Sequence, residues 1–229
     1  MKKKFKVVGS LTWIERIVLI ILPILVVILA MGIGRMVISP VEVLKSTFEK
    51  FGYDYSINPQ NEIVLWTIRF PRIILALLVG AGLSVAGCAF QSLFSNPLAT
   101  PDTLGVASGT SFGAALGILM GFSLIGIQFS ALLYGIISVC LTYFSGSGKG
   151  HSIITIVLAG IMIGSLFSAL VSFTKFVADS ESQLPAITYW LMGSLSSASY
   201  KTLMLGAPFI IVGIFVLYLL RWRLTLLML

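Results

Sequence analysis

Two arginines, Arg69 and Arg72, stand three residues apart just before the long uncharged run at 73–101, and guanidinium groups can bind carboxylates or lipid headgroups. Each guanidinium is a planar, permanently charged fork that can pair a carboxylate with two parallel hydrogen bonds. Pro71 lies between them and fixes the local backbone. The simpler alternative is that both arginines anchor the end of a helix at lipid headgroups, as basic residues beside membrane spans do.

No pattern in the sequence predicts catalysis, a metal site or a cofactor. His151 is the only histidine, and the two cysteines lack a C-x-x-C spacing. The glycine-rich segment 146–150 resembles a nucleotide-binding loop. A Walker A motif, however, would need a glycine where Tyr143 stands and a serine or threonine where Gly150 stands. We therefore expect no catalytic residue, no metal, no cofactor and no ATP hydrolysis by this chain.

The composition indicates that most of the chain lies in a lipid bilayer. Apolar residues make up 58% and charged residues 10% of the sequence, and the mean hydropathy is +1.05. Since a helix needs about 20 apolar residues to cross the hydrocarbon layer, the uncharged runs predict an all-α, polytopic bundle of six spans in one transmembrane domain over 1–229. The predicted spans are about 14–35, 72–94, 102–121, 124–144, 152–176 and 203–220, with short outer helices at about 40–51 and 180–194.

Basic residues at the start of the chain set its expected orientation. Lys2, Lys3, Lys4, Lys6 and Arg16 flank the first span, and the first helix usually dominates orientation. We therefore expect a multi-pass protein of the cytoplasmic membrane with a cytoplasmic N-terminus. Cations at membrane edges account for the net charge of +7. No nucleic-acid partner is expected, because no basic run is interleaved with aromatic residues.

Small residues recur every fourth position in the third predicted span. They are Gly105, Gly109, Gly113, Gly117 and Gly121. Such a stripe lets a neighbouring helix approach closely. The simpler interpretation of each glycine is ordinary close packing, but together they predict a compact bundle of helices.

A series of short motifs follows in a fixed order along the chain. They are Arg69-Phe70-Pro71-Arg72, Gly80-Ala81-Gly82-Leu83-Ser84, Gly87, Gln91, Asn96-Pro97-Leu98-Ala99, Pro101, Leu104-Gly105, Gly109, Leu158-Ala159-Gly160 and Trp190-Leu191-Met192-Gly193-Ser194. In this order and separation they resemble the FecCD-type permease family, the transmembrane subunits of ABC importers for iron-siderophore complexes, haem and vitamin B12. The resemblance covers most of residues 60–225.

The resemblance implies partners and roles for particular residues. It implies a second permease subunit in a homodimer or heterodimer, cytosolic ATPase subunits, and an extracytoplasmic binding protein whose acidic residues dock onto Arg69 and Arg72. It also implies an inner gate, for which a flexible loop is the simpler alternative. The corresponding residues are Ser147, Gly148, Gly150 and Ser152. Ser84 and Gln91 are candidates for side chains that face the transport pathway.

Members of this family continue beyond Arg221-Trp222-Arg223-Leu224 into a coupling segment and further spans, whereas the sequence ends at Leu229. We expect it to hold the first six of ten spans, as a fragment, part of a split permease or a relic. The predicted function is passage of an iron-siderophore or related chelate, with ATP hydrolysed by separate subunits. The alternatives are an ion channel, for which no filter of charged rings is found, and a non-transporting membrane protein or regulator. A neighbouring ATPase and binding-protein gene would favour the importer.

Overall fold

The computed structural model describes residues 12–50, 52–53, 58–96, 99–146 and 153–227, and every regular element in these ranges is helical. The predicted all-α fold is therefore confirmed. The α-helices are α1 (Trp13–Gly32), α2 (Pro40–Glu49), α3 (Pro59–Ile63), α4 (Phe70–Phe94), α5 (Val106–Leu119), α6 (Leu124–Gly146), α7 (Ile153–Val177), α8 (Gln183–Met192) and α9 (Tyr200–Leu227).

Five helices of the described part are long and apolar enough to cross a membrane, by length and composition. They are Trp13–Gly32, Pro59–Phe94, Leu124–Gly146, Ile154–Val177 and Tyr200–Leu226. The third predicted span corresponds instead to α5, an apolar helix of 14 residues. We expected this span to start at about residue 102, but a 3₁₀ turn at Pro101–Leu104 comes first. Gly105, with a φ of +69°, then interrupts the helical path before α5 begins.

The helical stretch Pro59–Phe94 contains a wide turn. Residues Val64–Arg69 are π-helical, and the N–H of Phe70 donates to the carbonyl oxygen of Leu65, five residues earlier. Pro71 has no N–H, and its ring would clash with a carbonyl of the preceding turn in a regular α-helix. The wider turn accommodates this proline, which is fully buried. Short π-helical turns are frequent at functional sites, and Arg69 is the last residue of this one.

Contacts divide the chain into two compact units. The first contains the described residues up to Ala76 together with Ala198–Leu203. Its buried core consists of Met31, Ile38, Val43 and Leu65. Side-chain hydrogen bonds join its helices around Trp66. The indole Nε1 of Trp66 donates to Ser46 Oγ at 2.9 Å, and the Tyr200 hydroxyl donates to the carbonyl oxygen of Trp66 at 2.7 Å.

The second unit contains α5 to α8 with the remainder of α4 and α9. Small side chains form much of its interior, and Ala114 and Ala115 of α5 are buried. Three aromatic rings pack beside them. Phe112 meets Tyr134 edge to face with ring centroids 5.0 Å apart, and its centroid is 5.8 Å from that of Phe167. Helices α5, α6 and α7 therefore form a closely packed group.

Candidate functional site

Arg69 lies in the interior of the first unit, with 9% of its surface exposed. Its two terminal nitrogens donate to the backbone carbonyl oxygens of Met31 and Met36. Met31 belongs to the last turn of α1, and Met36 lies in the loop between α1 and α2. One guanidinium thus bridges the end of α1 and the loop that follows it. We call Arg69 with these two carbonyl groups the Arg69 clamp.

Two glycines permit close contacts here, Gly32 at the end of α1 and Gly34 in the loop that follows it. A Cβ atom on Gly34 would lie 2.7 Å from Arg69 Nη2, and a Cβ atom on Gly32 would lie 2.8 Å from the carbonyl oxygen of Ile38. The N–H of Ile38 donates to the carbonyl oxygen of Gly32 at 3.0 Å. A larger residue at position 34 would displace the Arg69 guanidinium, and a larger residue at position 32 would push Ile38 away from the end of α1.

Arg72 lies in the first turn of α4 and is partly exposed. The docking role that the sequence suggests for Arg69 and Arg72 stays a prediction. Two of the five N–H groups of Arg69 donate to the carbonyl groups of Met31 and Met36. The two arginines of the motif therefore stand in different environments, although their spacing in the sequence gives no sign of this.

The 3₁₀ turn before α5 is held by buried hydroxyl groups of α6. Ser138 Oγ donates to the carbonyl oxygen of Gly105 at 2.8 Å, and Thr142 Oγ1 donates to that of Leu104 at 3.1 Å. Both hydroxyl-bearing side chains are completely buried. Buried donors of this kind are costly to leave without acceptors, so α6 and the turn stabilise each other.

Helix α7 contacts the same turn through glycine. A Cβ atom on Gly160 would lie 2.0 Å from the carbonyl oxygen of Thr103, so no side chain fits there. Gly105 is equally confined, because a Cβ atom on it would lie 2.9 Å from the backbone nitrogen of Gly164. The turn therefore packs directly against the backbone of α7.

The glycines of the third predicted span contact different neighbours. Gly109, Gly113 and Gly117 are buried and face α6, and the closest approach is at Gly113, where a Cβ atom would lie 2.4 Å from the carbonyl oxygen of Ser130. Gly105, the first glycine of the row, faces α7 instead. Gly121, the last, follows the end of α5 with a φ of +71° and open space around it.

A polar groove of about 410 Å³ runs along the second unit between α5 and α7, and we call it the α5–α7 groove. Ser108, Ser165 and Ser168 line it, with Asp102 also contributing. Ser168 Oγ donates to Ser108 Oγ at 3.3 Å. Polar groups inside apolar spans are costly and often mark the path of a solute. This groove is therefore the candidate transport surface of the described chain.

The model of the FecCD transport family matches residues 20–229. The chain belongs to this family. The resemblance predicted from the sequence motifs is thus confirmed. Its long apolar helices and its family together make this FecCD chain a multi-pass membrane protein.

Three similar proteins illustrate how much of this chain, and how much of each relative, the similarity covers. The molybdate import system permease protein MolB of Haemophilus influenzae is 38% identical over 91% of this chain and 62% of its own length. A probable iron chelatin transport system permease protein of Helicobacter pylori is 39% identical over 72% of this chain and 50% of its own length. The hemin transport system permease protein HmuU of Yersinia pestis is 34% identical over 86% of this chain and 58% of its own length.

A solved structure is also similar to this FecCD chain. It is an ABC transporter assigned to the metal-chelate type, in an inward-facing conformation. The TM-score is 0.78 and the sequence identity 35%, over 92% of this chain and 63% of that chain. The FecCD chain therefore spans between half and about two thirds of the length of these proteins.

The pathway residues predicted from the sequence do not line the α5–α7 groove. Ser84 Oγ donates to the carbonyl oxygen of Gly80 at 2.8 Å and lines a different groove, between α4 and α9. Gln91 is exposed on α4. The predicted gate residues lie outside the described residues, and they are Ser147, Gly148, Gly150 and Ser152.

Sequence reasoning did not find the α5–α7 groove, although a signal was present. Ser165, Ser168 and Ser172 are spaced by three and four residues, which puts them on one face of α7. A polar stripe on an otherwise apolar span could have indicated a pathway surface. Its partner on α5 could not be inferred, because the contact between Ser168 and Ser108 joins residues 60 positions apart.

The segment that leads into α8 contains a hydrogen-bonded acidic turn. The N–H and the hydroxyl of Ser182 donate to the carboxylate of Asp179 at 2.8 and 2.7 Å, which lowers the pKa of Asp179. Gln183 Nε2 then donates to the carbonyl oxygen of Leu119 at 3.1 Å. These contacts fasten the start of α8 to the end of α5.

Proposed function

We propose that this chain belongs to the permease of an ABC importer that moves an iron-siderophore or related metal chelate across the cytoplasmic membrane. The observation that carries this proposal is the family match over residues 20–229. The relatives are named for the import of molybdate, an iron chelatin and hemin. All of these solutes contain a metal, so a metal-bearing solute is the substrate class that the family favours.

In this proposal the chain is not an enzyme, and ATP is hydrolysed by separate cytosolic subunits. A second permease subunit completes the pathway, and an extracytoplasmic binding protein delivers the substrate. Binding of ATP favours one conformation of the permease over the other and so supplies the free energy for alternating access. The N-terminus lies in the cytoplasm, which puts the Arg69 and Arg72 end of Pro59–Phe94 outside.

The α5–α7 groove supports a passive pathway. Its lining is mostly hydroxyl groups and small residues, with Asp102 as one acidic residue, and the part of the chain that the structure describes has no group of three or more His, Cys, Asp or Glu residues that could hold a metal ion. A bulky chelate must bind weakly along its path so that it can leave again. Ser84 and Gln91 remain additional candidates for this pathway, and residues 147–152 remain the candidate inner gate.

Uptake by whole cells tests this function. A strain lacking the importer genes is complemented with the permease, ATPase and binding-protein genes, and accumulation of radioactive ferric siderophore is measured. Ser168→Phe should lower uptake by at least about tenfold, equivalent to about 1.4 kcal/mol in a rate barrier, because the ring fills the α5–α7 groove.

Met162→Phe is the matched control on α7, because Met162 is highly exposed and does not line the groove. Membrane levels of both variants are compared by immunoblot. Normal uptake by Ser168→Phe would rule out the groove as the pathway. Normal uptake by cells without the permease gene would rule out the importer itself.

A further inference from the structure

Another groove of the second unit lies between α6, α8 and α9, and we call it the α6–α9 groove. Its volume is about 560 Å³, and most of its lining is apolar. Phe129 of α6 and Phe209 of α9 both line it and meet edge to face, with ring centroids 6.2 Å apart. Since α6 and α9 are both long and apolar enough to cross a membrane, the groove lies at the depth of the bilayer.

Three polar groups interrupt this apolar lining. The indole N–H of Trp190 and the side-chain amide of Gln128 have no hydrogen-bond partner within the part of the chain that the structure describes. Pro208 has no N–H, so the carbonyl oxygen of Met204, four residues earlier in α9, lacks its usual helical donor. Polar groups without partners are costly in hydrocarbon. A fitting occupant therefore supplies an acceptor and a donor as well as apolar surface.

These polar groups gather at one end of the groove. Gln128 and Met204 lie in the second turns of α6 and α9, and Trp190 lies in α8, which precedes α9. Gln183 at the start of α8 donates to the carbonyl oxygen of Leu119, at the end of α5 and a few residues before α6 begins. The groove is therefore polar near the starts of α6 and α9 and apolar further along them.

A phospholipid has the same division into a polar and an apolar end. Its phosphate and ester oxygens accept hydrogen bonds, its headgroup can donate them, and its acyl chains are apolar. The described lining contains no acidic side chain, so nothing in it repels the negative charge of a phosphate. Tryptophan is also enriched at the level of lipid headgroups, which suits Trp190 to the polar end.

We propose that the α6–α9 groove binds one phospholipid molecule, with its phosphate at Trp190 and Gln128 and an acyl chain along Phe209. Hydrogen-bond donors of the headgroup reach the carbonyl oxygen of Met204. The bound lipid connects α8 with α6 and α9. This site is separate from the α5–α7 groove, and its occupancy does not depend on which solute is transported.

Native mass spectrometry of the protein, purified in mild detergent with any subunits that accompany it, counts bound lipids. Phosphatidylglycerol is the probe, because its phosphate accepts hydrogen bonds and its glycerol hydroxyls donate them. One molecule per chain should bind at least about tenfold more tightly than further molecules. Gly206→Phe should abolish this first binding step. A Cβ atom on Gly206 meets nothing within 4 Å, so the ring can enter the groove that this residue lines.

Val212→Phe is the control on the same helix, because Val212 is exposed and does not line the groove. It should bind phosphatidylglycerol as the wild type does. Equal binding by the wild type and Gly206→Phe would overturn the site.

Two conservative variants test the polar end. Trp190→Phe keeps an aromatic ring and removes the N–H, and Gln128→Leu removes the amide at similar volume. Each should raise the dissociation constant for phosphatidylglycerol by about tenfold, as the loss of a hydrogen bond to a charged group does. Wild-type affinity in both variants would overturn the placement of the phosphate.

Photocrosslinking in cell membranes identifies the occupant. Benzoylphenylalanine is incorporated in place of Met204, which is highly exposed and lines the groove. Illumination should attach a phospholipid to the peptide that contains position 204, and Gly206→Phe should lower the yield of this adduct. Crosslinking only to protein, whether a second copy of the chain or another subunit, would overturn the proposal.

Discussion

Reversing the charge of Arg72 by Arg72→Glu is expected to abolish capture of the loaded binding protein and to lower uptake by at least about tenfold. A carboxylate in place of the guanidinium would repel the acidic residues that we propose as its partners. The measurement is uptake of radioactive ferric siderophore together with co-purification of the binding protein. Lys45→Glu is the matched control, since Lys45 is an exposed cation of α2.

Exchanging the charges of an arginine of the permease and its carboxylate partner on the binding protein separates the roles of the two arginines. Arg69→Glu should also lower uptake, because it destroys the Arg69 clamp. Replacing the docking carboxylate of the binding protein by lysine should restore binding to Arg72→Glu, and restoration of Arg69→Glu by the same lysine would place Arg69 in the interface as well. Unchanged uptake when both arginines are reversed, with normal membrane levels, would remove both residues from docking.

Replacing Gly160 by alanine is expected to lower the free energy of unfolding of the second unit more than any other glycine-to-alanine substitution in it. The new Cβ atom would lie 2.0 Å from the carbonyl oxygen of Thr103 and 3.0 Å from the Cα atom of Leu104. Overpacking of this kind costs about 1–3 kcal/mol or more. The turn cannot easily move away, because Ser138 and Thr142 hold its carbonyl groups.

The measurement for Gly160→Ala is thermal unfolding in detergent. A loss of about 3 kcal/mol would lower Tm by roughly 6–12 °C in a chain of this size. Gly80→Ala serves as control, because both glycines lie in helices and only Gly160 is confined. Equal Tm values for the two variants would mean that the turn does not pack against α7 as described.

The all-α fold was predictable because the bilayer constrains the sequences that can cross it. Long uncharged runs must satisfy their backbone hydrogen bonds internally, and helices do so. The start of α5 was not predictable from the sequence. Gly105 interrupts the helix there, and the hydroxyl groups of α6 that bond the turn lie more than 30 residues further along the chain.

The environment of Arg69 was equally hidden from the sequence. Its spacing from Arg72 indicates two cations at a helix end, and on that basis alone both are assigned to one surface. The difference arises from carbonyl groups 33 and 38 residues away and from the absence of a side chain at Gly34. Such acceptors are backbone atoms, which every residue carries, so residue types give no signal of them.

The most direct test of the proposed function is transport by purified components. Liposomes containing the complete importer, with this chain as permease and ATP enclosed, are supplied with binding protein loaded with radioactive ferric siderophore. We predict accumulation inside the liposomes that requires both ATP and the binding protein. Entry at the same rate without ATP would contradict an importer and favour a channel, and no entry under any condition would favour a non-transporting protein.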